Sequence, residues 1–352
     1  MKRAGWICGS WLAVSAFTTA QATTLFVDAA TGDDANSGMS AAQPFLTVQR
    51  AVNQAALSPG PDVIQIAAGE YRENIVIKDP DVLILSGGSG VEIIAADPSK
   101  EVVYVKGGDV VLSDLRVSGG KHGVRGAPSQ GAPIYLTLRK VESVDNAERG
   151  LRAVDVLGVW ISGCQFLRNG TDGVKVEADV LGPSLVTLSV HDTLISDSGD
   201  DGLDLELLGE ISLKNVVVEN TLGDDGLSID DTASVFIEGC AFVDSAADGI
   251  DIDDTQSVSL VSTVSAGNGV AGLQIKAEEH CNTESVRIVG SDFLENGADG
   301  VWISEEAAIV EQVRLSSVTA SSNGGRGVNI VVSGTVKLSA ITSENNGADD
   351  VP

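Results

Sequence analysis

The sequence predicts an all-β chain built as one parallel β-helix, a solenoid of 23–29-residue coils with an N-terminal capping helix. Three observations predict it. A unit recurs along the chain, its strand segments alternate apolar and polar residues with period two, and no stretch within a unit has helical periodicity. The unit is Asn or Ser, two or three variable residues, Gly, then an apolar-x-apolar alternation. From about residue 120 it reads NAERGLRAV (146–154), NGTDGVKVE (169–177), SGDDGLDLE (198–206) and NTLGDDGLSID (220–230). It continues as SAADGIDID (245–253), NGVAGLQIK (268–276), NGADGVWIS (296–304) and NGGRGVNIV (323–331). Leucine-rich repeats share this period but need a Leu-dominated frame, whereas here Val, Ile and Leu mix. About three short strands per turn describe a β-helix. Stacked Asn side chains can bridge successive coils at one corner, where Gly permits the bend.

In chain order, residues 1–22 come first: Lys2 and Arg3, an apolar stretch, then the small-x-small site Ala20-Gln21-Ala22. That is the pattern of a secretory signal peptide, so the mature chain is expected to be exported, whether extracellular, periplasmic or at the cell surface. No later segment is long and apolar enough to span a bilayer. Residues 43–57 predict a short amphipathic helix with Phe45, Val48, Ala51 and Val52 on one face and Pro44 in its first turn. It would cover the open N-terminal end of the stack. The β-helix is expected over 23–352, with its last coil incomplete at NNGADDVP (345–352). A monomer is expected unless a partner caps that end. Without Cys8, three cysteines remain. Cys164 and Cys240 recur at matching places three coils apart, roughly 14 Å at ~4.8 Å per coil, too far to bridge. They read as small buried residues, and no disulfide framework is expected.

Composition narrows the partners. Fifty acidic residues against 22 basic ones give a formal charge of −28, which argues against nucleic acid and anionic membranes as partners and favours divalent cations. The acids are not scattered. Between residues 192 and 254 there are 18 acids and one base, Lys214. Residues two and four places after each glycine should point outward. The first column then runs Arg152, Lys175, Asp204, Ser228, Asp251, Gln274, Trp302, and the second includes Glu177, Glu206, Asp230, Asp253 and Lys276. Just before the glycines lie Asp172, Asp200, Asp201, Asp224, Asp225 and Asp248. Carboxylates stacked at this spacing repel unless a cation neutralises them. Calcium (Ca2+), a ligand of six to eight oxygens, is the natural extracellular candidate; a plain solvated acidic face is the alternative.

The segments FVDAATGDDANSGMSAAQPFLTVQRAV and VIQIAAGEY resemble the start of secreted right-handed β-helix proteins of the pectate-lyase-like superfamily, a likeness that covers nearly the whole mature chain. Thr171-Asp172-Gly173-Val174 and Asp200-Asp201-Gly202-Leu203-Asp204 further resemble the A-D-G-F and D-D-G-W-D motifs of family nine pectate lyases. The resemblance implies Asp172, Asp200, Asp201 and Asp204 as calcium ligands, with Asp224 and Asp225 repeating the doublet one coil on. The family's base lysine has no counterpart at the matching place; Lys276 and Lys175 are the two candidates. Arg152, Asp230, Asp251, Asp253 and Trp302 would face a glycan on the same surface. The implied activity is calcium-dependent β-elimination on a polyuronate such as pectate, or epimerisation sharing its proton-abstraction step. The alternative is an extracellular β-helix that binds calcium and glycans without turnover. Polygalacturonase G-H-G and R-I-K elements are missing, although hydrolysis by two carboxylates stays sterically possible. Only three His are present, at no metal-ligand spacing, and no G-x-S-x-G elbow or Walker loop occurs.

Overall fold

The computed structural model describes residues 22–57, 60–78, 81–129, 132–178, 186–278 and 281–349; the expected signal peptide lies, except for Ala22, outside them. The chain winds into about 11 coils of about 24 residues, with about 3% helix. Each coil contributes one short strand to an eleven-stranded sheet and a longer, bent run to a second sheet. The short strands follow the glycines of the repeat, as in Val174–Glu177, Leu203–Glu206, Leu227–Asp230 and Ile250–Asp253. Alternation does the packing. Leu203, Leu205, Leu227, Ile229, Ile250 and Ile252 point into the coil and are buried. Each such side chain contributes roughly 1.5–3 kcal/mol on leaving water.

The solenoid begins well before its sequence signature. Ile75–Ile77, Val103–Val105 and Val124–Gly126 are consecutive strands of the short-strand sheet, although the Asn-to-Gly unit is absent around the first two. The long runs, such as Thr187–Ser196 and Glu210–Glu219, bend at one left-handed residue per coil. Asp192, Asn215, Gly239 and Ser262 stack there with φ of 51°, 51°, 64° and 50°. Only some are glycine, so the sequence does not advertise this corner.

At the next corner the asparagines form the expected ladder. Asn146 donates Nδ2–H to Asn169 Oδ1 at 2.9 Å. The same bond links Asn268 to Asn296, Asn296 to Asn323 and Asn323 to Asn346 at 2.9, 3.0 and 3.0 Å. Ser198, Thr221 and Ser245 interrupt it, and their buried hydroxyls have no hydrogen-bond partner among the described residues.

Helix α1 (Val48–Ala55) covers the N-terminal end and buries Val48, Ala51, Val52 and Ala55. It is shorter than the 43–57 expected. Phe45 is held extended by a bridge to Val27. The helix starts instead at Thr47, whose Oγ1 caps Arg50 N–H, while Glu73 accepts from Val48 and Gln49 N–H at 2.8 Å each. Cys164 and Cys240 are buried thiols and Cys281 is half-buried; all three are free. No helix among the described residues is long and apolar enough to cross a membrane.

Candidate functional site

The outward columns expected from the sequence are in register. Arg152 pairs with Lys175, Lys175 with Asp204, Asp204 with Ser228 and Ser228 with Asp251; Gln274 and Trp302 follow. In the neighbouring column Glu177, Glu206 and Asp230 are consecutive, and Asp253 stands opposite Lys276. One face of the short-strand sheet therefore carries carboxylates over consecutive coils, with bases at both ends.

The aspartates immediately before the glycines have a structural duty that the sequence reading missed. Four of them accept the backbone N–H of the counterpart one coil on. Asp201 Oδ1 accepts from Asp225 N at 2.9 Å, Asp225 Oδ1 from Asp248 N at 2.7 Å, and Asp248 Oδ1 from Ala271 N at 2.5 Å. Asp299 does the same for Arg326 N at 2.6 Å. This carboxylate ladder explains the Asp-Gly pairs on structural grounds alone. It also leaves Oδ2 of Asp201 and Asp225 for another partner.

Two carboxylate groups converge. One oxygen from each of Asp172, Asp201 and Asp204 lies within 4.8 Å of the others, and the same holds for Asp201, Asp224 and Asp225. Asp201 belongs to both. Asp200 joins neither and is exposed. A third group unites Asp230 with Asp231 and Asp254, two residues the sequence reading did not single out.

The first two groups differ in charge balance. Asp172 is buried and pairs with Arg149, whose Nε is 2.5 Å from its Oδ2. Asp204 pairs with Lys175 at 2.6 Å, and the same amine reaches Glu206 at 2.6 Å. Arg152 is 2.6 Å from Glu177. Among the described residues no ion pair reaches Asp201, Asp224 or Asp225. Burial pushes the Asp201 carboxyl up to about 8, with the charges of Asp204, Asp225 and Asp172 adding to it. Burial, then the charges of Asp251, Asp248 and Asp224, raises Asp225 to about 7. An all-oxygen donor set whose charge no side chain balances fits calcium. The fit is better at Asp201, Asp224 and Asp225 than at the Asp172 group, where Arg149 and Lys175 already supply positive charge.

Both candidate bases are ion-paired. Lys276 lies 3.8 Å from Asp251 and 3.6 Å from Asp253. Burial pulls each lysine's pKa down, but the carboxylates outweigh it: Asp204 and Glu206 raise Lys175, and Asp251, Asp253 and Glu278 raise Lys276. Asp251 also accepts from Gln274 Nε2 at 2.9 Å. Burial, followed by Asp251's charge, lifts Asp253 to about 7. Trp302 is half-buried between Gln274 and Asn329. Arg149, at the position just before Gly150, escaped the sequence reading because only the acids were picked out at that position.

Residues 180–346 match the family model described as "Right handed beta helix region". No curated protein sequence matches the chain. Among solved structures, the A-module of a mannuronan C-5 epimerase from Azotobacter vinelandii superposes with a TM-score of 0.59 at 15% identity, over 87% of this chain and 94% of that one. The catalytic domain of a GH87 alpha-1,3-glucanase in complex with nigerose gives 0.54 at 11% identity, over 86% of this chain and 64% of that one. Pectate lyase Pel9A covers 94% of this chain and 80% of its own at 17% identity, with a TM-score of 0.42. At such identities the likeness is one of architecture: the chain is a right-handed parallel β-helix.

Proposed function

We propose that this is an exported carbohydrate-active protein that holds calcium with Asp201, Asp224 and Asp225 and takes an acidic polysaccharide across the short-strand face. The reaction class is removal of the proton beside a uronate carboxylate, leading to elimination or epimerisation. One observation carries the reading: carboxylates in register on consecutive coils, bracketed by Arg152 and Lys175 at one end and Lys276 at the other. That a mannuronan epimerase and an alpha-1,3-glucanase share the fold supports a glycan as ligand.

Bound calcium would supply positive charge beside the substrate's carboxylate. The chain's own residues do the rest. Arg152 offers a guanidinium fork for a second carboxylate once Glu177 yields it. Lys276 is the better-placed base, because its carboxylate contacts of 3.6 and 3.8 Å are looser than the 2.6 Å contacts of Lys175. An amine freed from Asp251 and Asp253 keeps the burial that lowers its pKa. Pectate, alginate and polymannuronate, each with calcium or chelator, test the reading by ultraviolet absorbance of unsaturated products and by proton NMR for epimerisation. Turnover that needs calcium and falls at least a hundredfold in Lys276→Ala supports it. The second reading, calcium and glycan binding without turnover, is favoured by the raised pKa of both lysines. It would be adopted if neither assay detects product while calcium still promotes binding.

A further inference from the structure

The outer face of the long-strand sheet has the opposite character to the acidic columns. Trp160, Phe236, Arg287, Arg314 and Lys337 occupy one register position, aligned coil upon coil. Serine fills the coils between Trp160 and Arg287 that lack an aromatic ring. The column runs roughly 34 Å, seven steps of ~4.8 Å, parallel to the solenoid axis.

Its two ends are built differently. At one end Trp160 stacks with Tyr135, ring centroids 6.1 Å apart and planes 27° from parallel, and both rings are 40% exposed. Gly158 makes this possible, because a Cβ there would stand 2.5 Å from the indole. The ring lies down over the glycine and presents a flat face. At the other end Arg287, Arg314 and Lys337 line one groove of about 320 Å³. Among the described residues their side-chain hydrogen bonds are to neutral groups: Arg287 reaches Ser259 at 3.5 Å and Arg314 reaches Gln312 at 3.1 Å. Among the described residues none of the three has an ion pair, in a chain with 50 acidic groups. Like charges directly opposite on neighbouring strands destabilise a sheet, and this chain has acids in abundance with which to balance them.

We infer that this column is a second glycan-binding surface, independent of the acidic face, that takes an anionic polysaccharide lengthwise. Arg287, Arg314 and Lys337 bind its carboxylates or sulfates, and the Trp160–Tyr135 platform and Phe236 stack on its sugar rings. The guanidinium groups explain the charge of the ligand. The exposed rings at the same register position explain why it is a sugar chain rather than another polyanion.

Binding of the intact protein to polygalacturonate, polymannuronate, neutral dextran and single-stranded DNA, measured by biolayer interferometry in chelator, tests the proposal without engaging the calcium face. The expected result is salt-sensitive polyuronate binding, absent for dextran. It should weaken at least tenfold in Arg287→Ala/Arg314→Ala/Lys337→Ala and at least threefold in Trp160→Ala. Asp201→Asn should leave it unchanged, which separates this surface from the calcium face. Trp160, Arg287, Arg314 and Lys337 are exposed, and matched melting temperatures confirm that every variant folds. No polyuronate binding in chelator, or binding indifferent to the triple variant, overturns the proposal. DNA bound as tightly as polyuronate, with no loss in Trp160→Ala, overturns the assignment to a sugar chain.

Discussion

Coils that contain Asn268, Asn296 and Asn323 and coils that contain Ser198, Thr221 and Ser245 have the same architecture but different support. In the first set, buried amides bond from coil to coil. In the second, among the described residues, the same corner holds hydroxyls without partners, and the outer face stacks acids such as Asp201 and Asp225 that no base neutralises. The two sets show a division of labour within one repeat. Where the corner amides are matched, the coil is scaffold. Where the described residues supply neither inner nor outer partners, the coil is where the proposed calcium would act.

The largest expected effect tests the scaffold. Asn296 is buried and bonds to Asn268, Asn323 and Ser265 O. Asn296→Ala should lose about 3 kcal/mol, since it strands several buried partners, whereas Ser198→Ala should stay within about 1 kcal/mol. Equal losses in urea melts would erase the distinction between the two sets.

Calcium comes next. At a hundredfold excess over its dissociation constant it should stabilise the protein by about 2.7 kcal/mol, and Asp201→Asn and Asp225→Asn should each remove most of that gain. If sodium chloride at equal ionic strength raises the melting temperature as much, the acidic coils hold no specific ion.

The pH profile sharpens the same contrast. The folded-state pKa of Asp201, about 8, and of Asp225, about 7, exceed the ordinary value of 3.8. The folded state therefore binds more protons than the unfolded state between these limits, and stability falls as pH rises through them. In chelator the loss from pH 5 to pH 8 should be on the order of 1–3 kcal/mol. Calcium, which needs the ionised carboxylates, should flatten the profile. A metal-free protein that grows more stable over this range would contradict the electrostatic description of the middle coils.

The smallest effect is constructive. Ser245 N–H already donates to Asn268 Oδ1 at 3.0 Å, so Ser245→Asn places an amide where the ladder can extend. A gain of about 1 kcal/mol is expected, and a loss would mean that the corner is narrower in the acidic coils.

Much of this was legible because strand periodicity is local. Each glycine marks the start of a strand, so counting two and four residues onward identified Asp204, Asp251, Asp253 and Lys276 as outward-facing before any fold was in hand. The left-handed corner at Asp192, Asn215 and Ser262 was not legible, since these residue types occur everywhere in the chain and φ leaves no periodic trace. The particular partners in the ion pairs were hidden for another reason. Whether Lys175 meets Asp204, 29 positions further on, depends on how the intervening chain closes a coil, and the end of a long side chain is placed by its neighbours, not by its column. Helix α1 shows the same limit. Its apolar face was readable, but its first residue was set by Thr47 and by Glu73, 25 residues from Val48.

The in-register columns make the solenoid a ruler. Lys276 stands four coils beyond Glu177 in the same column, since Glu206, Asp230 and Asp253 intervene. The span between the basic ends of the acidic face is therefore a whole number of coil rises, ~19 Å at ~4.8 Å each. Removing residues 226–248 would join Asp225 to Gly249, restoring the Asp-Gly junction, and would shorten that span by one division without disturbing the others. A lineage that duplicated or lost one coil would thus adjust the length of its acidic face in unit steps.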